Sequence, residues 1–151
     1  MTTIKLETLI DAPIESCFDL ARSVDAHVLS AEQTSERAVA GRTSGLLEKG
    51  EEVIWEAIHF GIRQRLTIRM LEVNPPHFFS DQMIQGAFKS MLHKHSFVSY
   101  QAKTLMIDEF VYEVPFGPLG ALFNKLILKA YMAKFLKKRN LILKQIAEVK
   151  S

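Results

Sequence analysis

The chain has 151 residues, 48% hydrophobic and 24% charged, with a net charge of +2. This composition excludes a disordered or fibrous chain and gives one domain long enough to bury a core without staples. The lone cysteine, Cys17, excludes an internal disulfide and fits a reducing compartment, and no run of about 18 apolar residues is present to span a membrane.

The opening segment, MTTIKLETLIDAP, lacks the basic and apolar regions of a secretory signal, so a cytoplasmic protein is expected. Within it Ile4, Leu6, Thr8 and Ile10 alternate with Lys5 and Glu7, the pattern of a half-buried strand. Asp11 is a candidate cap, and Pro13 suits a first helical turn. Ile14, Cys17, Phe18 and Ala21 then recur at helical spacing, and a second short helix is expected within DAHVLSAEQ, with Asp25 as its N-cap. Cys17 reads as a small buried apolar residue.

After Ser35 the period becomes two. ERAVAG reads as a short strand. VIWEAIHF reads as a strand with Val53, Trp55, Ala57 and His59 on one face, closed by a turn at Gly61. IRQRLTIRMLEV follows, ended by Asn74-Pro75-Pro76, and its Arg63, Arg65 and Arg69 form a basic stripe read as solvated. HFFSDQMI, KSMLHKHSFVSYQ and TLMIDEFVYEV complete about six strands after the helices. PFGPLG breaks the pattern, and one long helix is expected from about Leu119 to Glu148. Its apolar stripe is Leu119, Leu122, Phe123, Leu126, Ile127, Ala130 and Tyr131, with Phe123 and Ile127 expected against the sheet. Strands followed by a long helix indicate an α+β fold with an antiparallel sheet packed on one face.

Charge is unevenly placed. Up to Phe60 there are five Lys+Arg against eleven Asp+Glu, and beyond it fourteen against six. Many of the basic residues, Arg139 among them, fall in the last helix. This is read first as a solvated helix face, and alternatively as a surface for an anionic membrane. Few aromatics are interleaved with these charges, so no nucleic-acid partner is expected.

KSMLHKHSF raises the question of chemistry. Strand alternation puts Met91, His93, His95 and Phe97 on one side and Leu92, Lys94, Ser96 and Val98 on the other, so the histidine side is expected to face inward. Three readings stay open. The histidines are hydrogen-bonded polar residues of a pocket wall, which is preferred. They are acid–base groups, with His93, His95 and Asp108 as candidates and Asp81 or Asp108 as the carboxylate partner. Or they are metal ligands together with Asp81, Asp108 or His59, a reading that no CxxC or HExxH spacing supports. No metal and no cofactor are expected.

The element order, with Trp55-x-Ala57-x-His59, Phe79-x-Asp81, His93-x-His95-x-Phe97 and Thr104-x-Met106-x-Asp108, resembles the START-like, or SRPBCC, superfamily over nearly the whole chain. Within it the segments resemble the polyketide cyclase/dehydrase and lipid-transport family, in the bacterial ligand-binding or cell-division-inhibitor-like branch. The sequence departs at Met91, where a large aromatic is expected. The resemblance implies a helix-grip (Bet v 1-like) fold. A curved antiparallel sheet of six or seven strands wraps a long C-terminal helix, with two short helices after the first strand. It implies a cavity between sheet and helix for a bulky hydrophobic molecule, such as a lipid or polyketide-like compound, for binding, transport or sensing. Trp55, His59, Asp81, Met91, His93, His95, Phe97, Tyr112, Phe123, Ile127 and Tyr131 are the expected ligand-binding residues. A cofactor-independent cyclase or dehydratase in the same cavity is the alternative, and a membrane-surface or interaction module using the basic helix is a second one.

Overall fold

In the computed structural model, which describes residues 1–150, the first alternating segment forms β1 (Thr2–Ile10). The chain then breaks at Asp11-Ala12-Pro13 into α1 (Ile14–Ala21) and α2 (Val24–Ser30), the two short helices expected. Pro13 takes the N-cap position of α1 in extended backbone, with no side-chain cap of its own to offer. The cap of α2 is Ser23, whose hydroxyl accepts from the Ala26 N–H at 3.2 Å, and not Asp25. The Asp25 carboxylate instead accepts the Gly45 N–H at 3.0 Å, tying α2 to the loop that leads into the sheet.

Six strands follow: β2 (Arg37–Gly41), β3 (Glu52–His59), β4 (Ile62–Asn74), β5 (Phe78–Gln85), β6 (Ser90–Tyr100) and β7 (Lys103–Glu113). All strand pairs are antiparallel, in the order β1-β7-β6-β5-β4-β3-β2, so the first strand pairs with the last and β1 and β2 are the two edges. One face of the sheet is buried at alternating positions and is largely apolar. Val53, Trp55, Ile68, Met70, Phe79, Met91, Phe97, Met106 and Phe110 are buried there. Phe18 of α1 closes one end of this face, its ring meeting Phe79 and Phe97 edge-on at 5.5 and 5.4 Å. The basic stripe on the outer face is ion-paired. Arg63 and Arg65 contact Glu56, as does Arg37 of β2, and Arg69 contacts Glu52.

The C-terminal helix is interrupted. α3 (Gly117–Phe123) runs into one π turn, Asn124–Leu128, before α4 (Lys129–Lys150). The turn is anchored at its first residue: the Tyr112 hydroxyl donates to Asn124 Oδ1 at 2.6 Å, and Asn124 Nδ2 donates to Thr2 Oγ1 at 2.9 Å. A π turn inserts one residue into the helical count and rotates α3 relative to α4 about the common axis. The expected apolar stripe is therefore split. Leu119, Leu122, Leu126 and Ile127 are exposed, whereas Met132, Leu136, Leu143 and Ala147 of α4 are buried against β1 and the short helices. Among the described residues no helix is long and apolar enough to cross a membrane.

Candidate functional site

Between the concave face and the C-terminal helix lies a cavity of about 310 Å³. Its sides are Trp55, Ala57, Ile68, Met70, Phe79, Met91 and Phe110 from the sheet, with Leu128, Tyr131 and Met132 from the helix. At one end the lining residues are exposed: Phe60 at the β3–β4 turn, Phe116 before α3, and Phe123. Phe60 rests on Tyr131 with ring centroids 4.4 Å apart and meets Phe123 edge-on at 5.8 Å. This end is the mouth.

At the other end sheet register assembles a polar cluster. Asp81 of β5 lies opposite His93 of β6, which lies opposite Phe110 of β7. One row away, Phe79 lies opposite His95, which lies opposite Asp108. Each imidazole therefore has an aromatic ring on one side and an acid on the other, and the diagonals link the rows. His93 Nε2 donates to Asp108 Oδ1 at 2.9 Å. His95 Nδ1 lies 3.0 Å from the same oxygen, and His95 Nε2 lies 3.4 Å from Asp81 Oδ2. Asn140 Nδ2 donates to Asp108 Oδ2 at 2.7 Å, so α4 holds the second carboxylate oxygen. The two imidazoles stack with centroids 3.8 Å apart, and Phe79 stacks on His95 at 4.2 Å.

The protonation pattern follows from this geometry. Burial opposes charge on His95, but its hydrogen bonds to Asp108 and then Asp81 outweigh that, and its pKa is raised. Burial, and then the neighbouring His95 charge, push His93 down to about 4 despite its bond to Asp108. Burial would raise both carboxylates, but hydrogen bonds from His93 and His95 hold Asp108 well below the ordinary value, and the bond from His95 lowers Asp81. Both carboxylates are thus held ionised, protonation is favoured on His95, and His93 is neutral at neutral pH.

Asp81, His93 and His95 also bring one metal-type donor each within 4.8 Å of one another. In this arrangement both His95 nitrogens face carboxylate oxygens, which favour protons on them over a cation. The geometry is that of an ion network.

The expected residues fall into groups. Trp55, His59, Asp81, Met91, His93, His95, Phe123 and Tyr131 line the cavity, with Phe123 at its mouth. His59 Nδ1 accepts the Tyr131 hydroxyl proton at 2.6 Å, joining sheet to helix, and burial lowers the His59 pKa. Asp108 sits behind the two histidines. Phe97 lies off the wall because α1 covers it, and Tyr112 because its hydroxyl is spent on Asn124. Ile127 is 49% exposed, turned outward by the π turn, and does not pack on the sheet.

Four polar residues were not among those singled out. His27 of α2 stacks on Trp55 with centroids 4.4 Å apart, and its Nε2 lies 3.3 Å from Glu36 Oε1. Arg139, placed by its charge on a solvated face, is only 7% exposed and lines the cavity, and Asn140 beside it is buried. Spacing held the signal for these last two: Arg139 and Asn140 lie three and four residues after Leu136, and four and three before Leu143, on the buried face of α4.

No family model and no curated protein matches this sequence. Solved structures do. The protein TTHA0849 from Thermus thermophilus superposes with a TM-score of 0.81 at 18% identity, over 99% of each chain. A START superfamily protein from Mycobacterium smegmatis gives 0.73 at 14% identity, over 99% of each chain. Ginseng major latex-like protein 151 from Panax ginseng gives 0.66 at 14% identity, over 97% of each chain. At these identities the likeness is one of fold, and it is the START-like helix-grip fold.

Proposed function

We propose that this helix-grip protein binds a bulky, largely apolar small molecule in the cavity between sheet and C-terminal helix. The observation that carries the proposal is the cavity itself: about 310 Å³, walled largely by Trp, Met, Phe and Ile side chains, with a buried His–carboxylate cluster among its lining. That combination of apolar walls and a few convergent polar groups is what small-molecule sites share. Four methionines, Met70, Met83, Met91 and Met106, lie in or against the core, with soft side chains that fit ligands of varied shape. Native mass spectrometry of the purified protein, beside a denatured extract, tests the reading. An apolar adduct supports it. With an apo protein, Nile red and naphthalene-type compounds are titrated instead, and a saturating ligand at a hundredfold its Kd adds about 2.7 kcal/mol to stability. No binding and no thermal shift with any of them overturns the reading.

The His–carboxylate cluster favours a second reading, an acid–base enzyme of the cyclase or dehydratase type. Two imidazoles with pKa values pushed apart place a proton donor, His95, beside a neutral base, His93. Such a pair can remove a proton next to a substrate carbonyl and protonate a leaving hydroxyl. Under this reading His93→Gln and His95→Gln each abolish turnover of a β-hydroxyketone while Nile red binding persists. Turnover unchanged in both variants removes it.

A further inference from the structure

Arg139 is a cation that the fold buries and does not satisfy. Its side chain reaches the cavity from α4 at 7% exposure. Among the described residues its buried Nε has no partner, and the only polar contact of the guanidinium is Nη1 with His27 Nε2, at 3.4 Å. That contact is contested, because the same nitrogen lies 3.3 Å from Glu36 Oε1. One ring nitrogen gives a proton to Glu36 or a lone pair to Arg139, not both. Glu36 is a buried carboxylate whose pKa is lowered, burial notwithstanding, by the charge and hydrogen bond of His27. The proton therefore belongs on the Glu36 side, and Arg139 is left with several N–H groups and no acceptor. Leaving buried charged donors unmade is costly, so the cavity end is poised for an acceptor from outside the protein.

Charge decides which acceptor. Three carboxylates, Glu36, Asp81 and Asp108, are held ionised at this end. The Arg139 charge already acts on both Glu36 and Asp81 across the cavity without touching either. An added carboxylate would join these three in a low-dielectric space. A neutral oxygen satisfies the N–H groups without that cost.

We infer that the cavity selects an apolar molecule bearing an uncharged carbonyl oxygen, which Arg139 receives at the closed end. The inference rests on the cavity-binding reading above and adds the chemical class of the ligand. Three matched probes test it by displacement of Nile red: 2-ethylnaphthalene, 2-acetonaphthone and 2-naphthoate. The ketone is the more water-soluble of the first two, so hydrophobicity alone would favour the hydrocarbon. The wild-type protein is expected to bind the ketone about tenfold more tightly than the hydrocarbon, the size of one hydrogen bond to a charged group. Arg139→Met is expected to shrink that gap to about twofold while leaving hydrocarbon binding in place. Equal binding of ketone and hydrocarbon by the wild type overturns the inference and leaves the cavity reading standing, as does a gap that persists in Arg139→Met or a carboxylate that binds more tightly than the ketone. Failure of Nile red and all three probes to bind overturns both. If Arg139→Met does not fold, the three-probe comparison on the wild type decides alone.

Discussion

Asp108 holds the polar end of the cavity together, with three side-chain partners and almost no contact with water. Asp108→Asn removes the charge that both histidines and Asn140 face. Breaking one member of a buried ionic group costs about 3–5 kcal/mol, and that loss is expected in denaturant unfolding at pH 7. The histidines make stability depend on pH in opposite senses. His95 has a raised pKa in the fold, so its contribution is complete below the ordinary histidine value and is lost as pH rises through the folded value. His93 sits at about 4, so between roughly 6.5 and 4 the unfolded chain takes up a proton that the folded chain refuses, and stability falls with falling pH. Asp108 adds to that acid limb below the ordinary aspartate value, where its lowered pKa keeps it ionised in the fold. Maximum stability near neutrality is the expected result of urea titrations from pH 4 to 9. His93→Gln is expected to flatten the pH 4 to 6.5 segment by about 3 kcal/mol, and an unchanged slope there would show that His93 is not the group responsible.

At the scale of elements, the strands were legible and the last helix only in part. Period-two alternation gave all of β3 through β7 and put His93, His95 and Asp81 on the inward face, because a strand offers only two phases. A long helix offers many, and spacing alone does not say which stripe faces in. The stripe at Leu119, Leu122 and Leu126 was as regular as the one at Met132, Leu136 and Leu143, yet the π turn at Asn124–Leu128 lets only the second face the core. The charge of Arg139 hid its place on that buried stripe. The same division predicts energetics. Leu126→Ala, at 67% exposure, is expected to change stability by no more than about 0.5 kcal/mol, and Leu136→Ala to cost about 2–5 kcal/mol. The turn itself depends on Asn124. Asn124→Ala leaves the fully buried Tyr112 hydroxyl without its acceptor, at a cost of about 1–3 kcal/mol. Adding Tyr112→Phe is expected to restore part of that loss, since both halves of the bond are then gone. A double variant less stable than Asn124→Ala alone would contradict this account of the turn.

For the whole molecule, the cavity is a stability sacrifice at the centre of the fold. Protein interiors pack as densely as organic crystals, and a void walled by large apolar side chains forgoes the contacts that filling it would supply. Here the void sits where the curved sheet and α4 diverge, and the rest of the core gathers around Phe18 and the base of α4. Small residues keep it open. Ala57 lies on the cavity wall between Trp55 and His59, where a longer side chain would project into the space. Gly120 keeps the mouth close-built, because a Cβ there would meet the Pro115 carbonyl oxygen at 1.8 Å. These two positions should respond in opposite directions. Gly120→Ala forces the segment before α3 away from the helix and is expected to lower stability by about 1–3 kcal/mol, the usual range for overpacking. Ala57→Leu adds apolar volume facing empty space. It is expected to raise the melting temperature of the apo protein by a few degrees while weakening Nile red binding by about tenfold or more, the exchange of stability for function seen when a site is filled. If Ala57→Leu lowers the melting temperature and leaves binding intact, the side chain has found no void, and the centre of the molecule is core where a site has been placed.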